Sequence, residues 1–276
     1  MQEKRDRLVA LLREFGSVAV GYSGGVDSVF LARVAVDVLG AEKVLAVTGT
    51  SDSLPVWMEA TAGEVAERFG IPWLEVETAE LNDPRYAANP SNRCYFCKSE
   101  LWSRVREVAD ARGLAVVVDG GNADDVGDHR PGAVAGGEAG VRSPLLEAGL
   151  TKAEIRAWSR ELGLPTWDQP AAPCLASRIP YGTAVTRERL QQIERAELAL
   201  RALGLRDFRV RHHGDVARLE VHPSELPSVR EQRAAIAEGV RAAGYREVVI
   251  DLQGYRRGAL NEGLSPAALL QLGGAA

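Results

Sequence analysis

Val18-Ala19-Val20-Gly21-Tyr22-Ser23-Gly24-Gly25-Val26-Asp27-Ser28 couples an apolar run, Val18 to Gly21, to a helical apolar pattern running from Val29 to Leu39. The order is strand, tight glycine turn, helix start, an arrangement that offers backbone N–H groups and the positive end of a helix dipole to a phosphate. Gly24 and Gly25 let the backbone approach an anion closely, and Ser23 and Ser28 can add hydroxyl donors. A nucleotide site follows from this reading; the plain alternative is a turn that merely uses small residues. The stretch lacks the Gly-Lys-Ser/Thr of a Walker loop and the GxGxxG of a dinucleotide fold, which argues against ordinary γ-phosphoryl transfer and hydride transfer.

Outward from this loop the chain alternates strand and helix. Lys43 to Thr48 reads as a buried strand, Pro55 to Phe69 as a helix, Trp73 to Val76 as a strand, Lys98 to Arg112 as a helix and Leu114 to Val118 as a strand. Such alternation predicts an α/β fold, a parallel sheet covered on both faces. Glu80 to Asn92 reads as a long loop, and a loop of that length inside a domain is usually functional. Asp119-Gly120-Gly121-Asn122-Ala123-Asp124-Asp125 follows the last strand at the carboxyl edge of the sheet, so Asp124 and Asp125 are candidates for holding Mg²⁺. Thr151 and Glu154 form a capping-box pattern for a helix from Lys152 to Leu162. Trp167 to Gly182 reads as an ordered loop. Helix Arg187 to Leu203, strands Phe208 to His212 and Ala217 to His222, helix Ser224 to Ala243 and strand Glu247 to Leu252 then make a smaller α+β set. The expected division is residues 1–165 and 166–276, with a frayed tail after Pro266.

The 276 residues suffice for one large or two modest domains, and no apolar stretch has the length of a membrane span. The start of the chain reads as an amphipathic pattern, Leu8, Leu11, Leu12 and Phe15, rather than a signal-peptide core, so a cytoplasmic location without membrane is expected. A formal charge of -5 gives no general footprint for nucleic acid and suits a small anionic substrate better. Three cysteines, Cys94, Cys97 and Cys174, disfavour a disulfide framework. Cys94-Tyr95-Phe96-Cys97 taken alone permits a redox dithiol, half a zinc site, part of an iron–sulfur site or unrelated buried thiols. An all-cysteine zinc site would need a fourth cysteine, whereas three thiolates leave one cluster iron open to an exogenous sulfide.

The Ser23–Ser28 loop resembles the SGGxDS loop of the PP-loop ATP pyrophosphatases, which cleave ATP between the α and β phosphates and adenylate a substrate. With Asn89-Pro-Ser-Asn-Arg-Cys-Tyr-Phe-Cys-Lys98, the DGGNADD loop and Pro173-Cys174-Leu175-Ala176-Ser177-Arg178-Ile179-Pro180-Tyr181-Gly182, the chain resembles, over nearly its whole length, the LarE family of ATP-dependent sulfur transferases. The resemblance implies a PP-loop domain and a smaller C-terminal domain, with ATP and Mg²⁺ as cofactors. The implied substrate is a pyridinium dicarboxylate mononucleotide, whose carboxylates are adenylated and converted to thiocarboxylates for a nickel-pincer cofactor. It assigns Ser23, Gly24, Gly25, Asp27 and Ser28 to the nucleotide. Ser177, Arg178, Arg209 and Arg211 go to the substrate phosphate, with Glu197 and Glu220 as polar neighbours. Arg209 and Arg211 alternate along a strand and therefore share a face, which suits an anion but also a solvated surface.

Cys174 corresponds to the family's reactive cysteine, which in the single-cysteine type gives up its sulfur. Cys94 and Cys97 match instead the three-cysteine type, in which all three thiolates hold a [4Fe-4S] cluster carrying an extra sulfide, and that route is favoured. A homo-oligomer and other nickel-pincer biosynthesis proteins are the expected partners. Rival readings are a PP-loop tRNA thiolase, which the acidic balance opposes, and a non-enzymatic ATP-binding module. His212, His213 and His222 read as surface histidines.

Overall fold

The computed structural model describes residues 2–126 and 131–256, so the expectation for the tail after Pro266 lies outside the described residues. In chain order the first elements are α1 (Gln2–Phe15), β1 (Val18–Gly21), α2 (Val26–Leu39), β2 (Val44–Thr50), α3 (Val56–Arg68) and β3 (Trp73–Glu77). There follow α4 (Pro84–Ala87), α5 (Arg93–Ala111), β4 (Val116–Val118), α6 (Pro131–Glu138), α7 (Pro144–Glu147) and α8 (Lys152–Glu161). The remainder comprises α9 (Arg187–Ala202), β5 (Phe208–His213), β6 (Val216–Val221), α10 (Leu226–Glu231), α11 (Arg233–Ala242) and β7 (Glu247–Ile250). Among these helices none is long and apolar enough to cross a membrane.

The chain divides into two compact units, Met1–Glu80 with Cys94–Ala172, and Leu81–Arg93 with Pro173–Ala276. The first unit is a parallel sheet of order β3-β2-β1-β4. Its strands are continuous apolar runs because both faces are covered. Val18, Val20, Val44 and Ala46 face a core shared with Leu8 and Leu12 of α1, Phe30 and Leu31 of α2, and Ile155 of α8. Ala19, Leu45, Val47 and Val117 face the opposite core, built on Trp102, Val105 and Ala109 of α5. This is the α/β fold of the PP-loop type, and it gathers the carboxyl ends of β1, β2 and β4 at one edge.

The second unit has a sheet of order β5-β6-β7, antiparallel then parallel. Phe208, Val210, Ala217, Leu219 and Val221 pack on one face with Ala196 and Leu200 of α9 and Ile236 and Val240 of α11. Arg209, Arg211, Arg218 and Glu220, at the alternate positions, take the other face.

Three expectations need correction. The helix expected from Ser224 to Ala243 is interrupted at Gln232, whose φ of -96° and ψ of 13° end α10. There the Gln232 side-chain amide donates to Leu203 O and Ser228 Oγ, a local competitor with the helix ladder that hydrophobic period does not register. The loop expected from Glu80 to Asn92 contains α4, capped by Asp83 accepting Arg85 N–H at 2.8 Å. His212 is buried, its Nδ1 3.1 Å from Tyr245 Oη, instead of lying on the surface.

Candidate active site

In the first unit the glycine loop closes on itself. Ser23 N–H donates to Ser28 Oγ at 3.1 Å, the two serine hydroxyls lie 3.2 Å apart, and Ser28 Oγ is 3.2 Å from Gly25 O. Gly24 has φ +71°, and a Cβ there would meet Ala62 Cβ and Met58 O at 3.0 Å, so conformation and space both demand glycine. Gly25 caps α2 without any side-chain hydrogen bond, which leaves the amino end of that helix uncapped by protein side chains. Gly120, just past β4, also packs close: a Cβ would stand 3.1 Å from Ser28 N and 3.0 Å from Asp27 Cβ.

Asp27 lies on the first turn of α2. Its Oδ2 accepts from Lys152 Nζ at 2.5 Å, while its Oδ1 is buried with no hydrogen-bond partner. A buried, unsatisfied carboxylate oxygen beside a phosphate-type loop fits a hard cation brought with a nucleotide. Asp124 is exposed and its Oδ2 accepts Lys152 N–H at 2.9 Å; Asp125 Oδ2 accepts Asn122 N–H at 3.1 Å in a capping box. The structure therefore joins Asp27 and Asp124 through one residue, Lys152. In the sequence Lys152 marks only the start of a helix, because nothing in the pattern shows that α8 packs on α2.

In the second unit the turn bearing Cys174 is built on buried charge. Cys174 is half-buried and precedes the 3-10 turn Leu175–Arg178. Arg178, 1% exposed, makes a two-point contact with Glu197 at 2.8 and 2.9 Å and donates to Pro173 O, Cys174 O and Ser177 Oγ. Glu197 also accepts Val210 N–H at 3.1 Å, on the side of edge strand β5 away from β6. Burial alone would raise the Glu197 pKa; the charge and hydrogen bonds of Arg178, with Val210 N–H and Arg209, outweigh it and hold the carboxyl below its ordinary value.

Arg211 donates to Glu220 Oε2 at 2.8 and 2.7 Å and to Ser177 O at 2.7 Å, and Arg218 reaches Glu220 Oε1 at 2.9 Å. Arg209 is 2% exposed, with its guanidinium 4.6 Å from the Tyr255 ring centroid. Burial first, and then repulsion from Arg178, push its pKa down; Arg201 is lowered by burial despite the attraction of Glu197. The expected residues Ser177, Arg178, Glu197, Arg209, Arg211 and Glu220 thus form one neighbourhood. Each of its three buried guanidiniums has a carboxylate beside it, Glu197 for Arg178, Glu220 for Arg211 and Asp207, at 3.8 Å, for Arg209, so the neighbourhood concentrates buried cations that suit an anion.

Cys94 and Cys97 stand three residues apart in the first turn of α5, on one helix face, Cys94 exposed and Cys97 half-buried. Their thiolates are soft donors of the kind that zinc or an iron–sulfur cluster takes. Among the described residues no three His, Cys, Asp or Glu are arranged to hold a metal ion.

Comparison with known proteins agrees with this geometry. Residues 7–112 match the NAD synthase family. The chain is 36% identical over 266 residues to the pyridinium-3,5-bisthiocarboxylic acid mononucleotide synthase of Lactiplantibacillus plantarum, covering 96% of each protein. It is 44% identical to an uncharacterised protein of Synechocystis sp., covering 96% of this chain and 99% of that one. It is also 29% identical to the NH3-dependent NAD+ synthetase of Chlorobaculum tepidum, over 55% of this chain and 54% of that one.

Proposed function

The chain belongs to the LarE family, as its similarity to the Lactiplantibacillus synthase shows, and on that premise we propose an ATP-dependent sulfur transferase acting on pyridinium-3,5-biscarboxylate mononucleotide. The observation that carries the reading is the pair of sites: a glycine loop at an uncapped helix start in one unit, and a cluster of buried guanidiniums beside a half-buried thiol in the other. The first suits the phosphates of ATP, and the second a substrate with a phosphate and carboxylates.

A substrate carboxylate oxygen attacks the α-phosphorus of ATP and pyrophosphate leaves, stabilised by the loop N–H groups and the hydroxyls of Ser23 and Ser28. The poor carboxylate leaving group has become AMP. Asp27, through its unpartnered Oδ1, would hold magnesium together with the ATP phosphates, and the ion would offset the charge of the departing phosphates, with Asp124 and Asp125 as the further acidic groups proposed for the site. Ser177, Arg178, Arg209 and Arg211 hold the nucleotide phosphate, with Glu197 and Glu220 fixing the guanidiniums. Sulfur then attacks the acyl carbon and AMP leaves, giving the thiocarboxylate.

The sulfur has two candidate sources. Cys174 can form the acyl thioester and surrender its sulfur as the Cβ–S bond breaks and the Cα proton is lost, leaving dehydroalanine. Alternatively Cys94, Cys97 and Cys174 would hold a [4Fe-4S] cluster, which would supply the sulfide, the route favoured by the presence of the additional cysteines. A homo-oligomer, a cytoplasmic location and product transfer to other nickel-pincer biosynthesis proteins complete the proposal, with no nucleic acid as substrate.

Intact mass of anaerobically prepared protein, before and after turnover with ATP and the pyridinium substrate, tests it. Unchanged polypeptide mass with thiocarboxylate formed is the expected result; a hydrogen sulfide lost from Cys174 identifies the sacrificial route. Absence of AMP release on adding substrate rejects the assigned function.

A further inference from the structure

The turn that carries Cys174 is held by a segment to which no role in the reaction has been given. Asn89 is fully buried and has φ +56°, the one non-glycine residue among those described in the left-handed region. Its side-chain amide donates to Pro180 O and Thr183 O, each at 2.8 Å, and its own carbonyl accepts Gly182 N–H at 2.9 Å. Arg93, 2% exposed, donates through Nη1 to Asn89 Oδ1 and, at 3.0 Å, to Ala176 O. Its guanidinium also lies 5.5 Å from the ring centroid of Tyr181.

A buried residue holds a left-handed backbone only where its surroundings over-determine it. Here Asn89 supplies those constraints and passes them to the turn. Together with Arg178 on Pro173 O and Cys174 O, and Arg211 on Ser177 O, the Arg93 bond to Ala176 O ties down the main chain on both sides of Cys174. Arg178 and Arg211 belong to the anion neighbourhood, and Asn89 and Arg93 are not among its residues.

We propose that Asn89 and Arg93 are positioning residues for the Cys174 thiol, fixing the turn so that Sγ has a single direction of presentation during sulfur transfer. This rests on the sulfur-transfer reading above. The role differs from mere support of the fold in what it controls: the thiol's reactivity and the transfer step, with nucleotide binding left alone.

The experiment uses the full chain carrying Asn89→Gly or Arg93→Lys. Glycine accepts φ +56° without strain yet lacks the amide, and lysine keeps the charge while losing the planar fork. Melting temperature, KM for ATP, kcat for thiocarboxylate formation, and the iodoacetamide alkylation rate of Cys174 resolved by peptide mapping are measured together. Expected is a kcat loss on the order of 100-fold with KM for ATP unchanged, the size of effect a misplacement of about 1 Å produces, and a changed alkylation rate at Cys174. A lowered melting temperature with wild-type kcat and wild-type Cys174 alkylation overturns the proposal. Should the wild-type protein form no thiocarboxylate, the functional reading fails, and the alkylation comparison still decides the role of Asn89 and Arg93.

Discussion

At the scale of single residues, Asp27 carries the sharpest expectation. Its Oδ1 is buried and unpartnered, and its Oδ2 is engaged by Lys152, so Asp27→Ala should lower substrate-dependent AMP release by at least about 100-fold while leaving the fold intact. Unchanged AMP release with a wild-type melting curve would remove the loop assignment. Glu197 makes a different prediction. Its folded pKa lies below the ordinary glutamate value, so the unfolded chain takes up the proton first on acidification. The stabilisation is complete above about pH 4.3 and is lost as pH falls toward the lower folded value. Glu197→Gln should flatten that acid limb in urea unfolding, and at neutral pH cost on the order of 3–5 kcal/mol by leaving Arg178 without its counter-charge. An acid limb as steep as the wild type's would show that other carboxylates set it. The period of two along Phe208–Arg211 put Arg209 and Arg211 on one face from sequence alone. It could not reveal that Glu220 is the partner of Arg211, because the β5–β6 register is a tertiary fact.

Elements were legible where local chemistry agreed with packing. The Thr151 capping box is present as read, with Glu154 N–H donating to Thr151 Oγ1 at 3.3 Å and Thr151 N–H to Glu154 Oε2 at 2.9 Å. Its significance was not legible: the cap fixes the first residue of α8, and that residue is Lys152, held against Asp27. Thr151→Ala should cost about 1 kcal/mol of stability and also raise KM for ATP, with thermal melts and pyrophosphate release measured on the same sample. Loss of stability with unchanged KM would separate the cap from the site. The α10–α11 break and the early start of α5 escaped reading for a common reason. Side-chain bonds from Gln232 end one helix, and no Gly or Pro marks the place; the cysteine pair reads as a motif before it reads as a helical turn.

For the whole molecule, the alternation of strand and helix sufficed for the parallel sheet, since apolar runs covered on both faces leave few other solutions. The makeup of the second unit was hidden, because residues 81–93 sit in the sequence between β3 and α5 yet belong with the chain after 173. Residues 173–276 alone lack Asn89 and Arg93 and should melt without a cooperative transition. Fusing residues 81–93 to their front through a flexible linker should restore one in far-UV circular dichroism, and equal cooperativity with and without the segment would contradict its place in that core. The same discontinuity sets a schedule for the growing chain. Roughly 80 residues, Cys94 to Ala172, must leave the ribosome between the two halves of the unit, a wait of about 4–16 s at about 5–20 residues per second. Through that interval Tyr86 and Arg93, both interior in the finished protein, have no unit to enter, so the early segment waits in water for the core that will cover it.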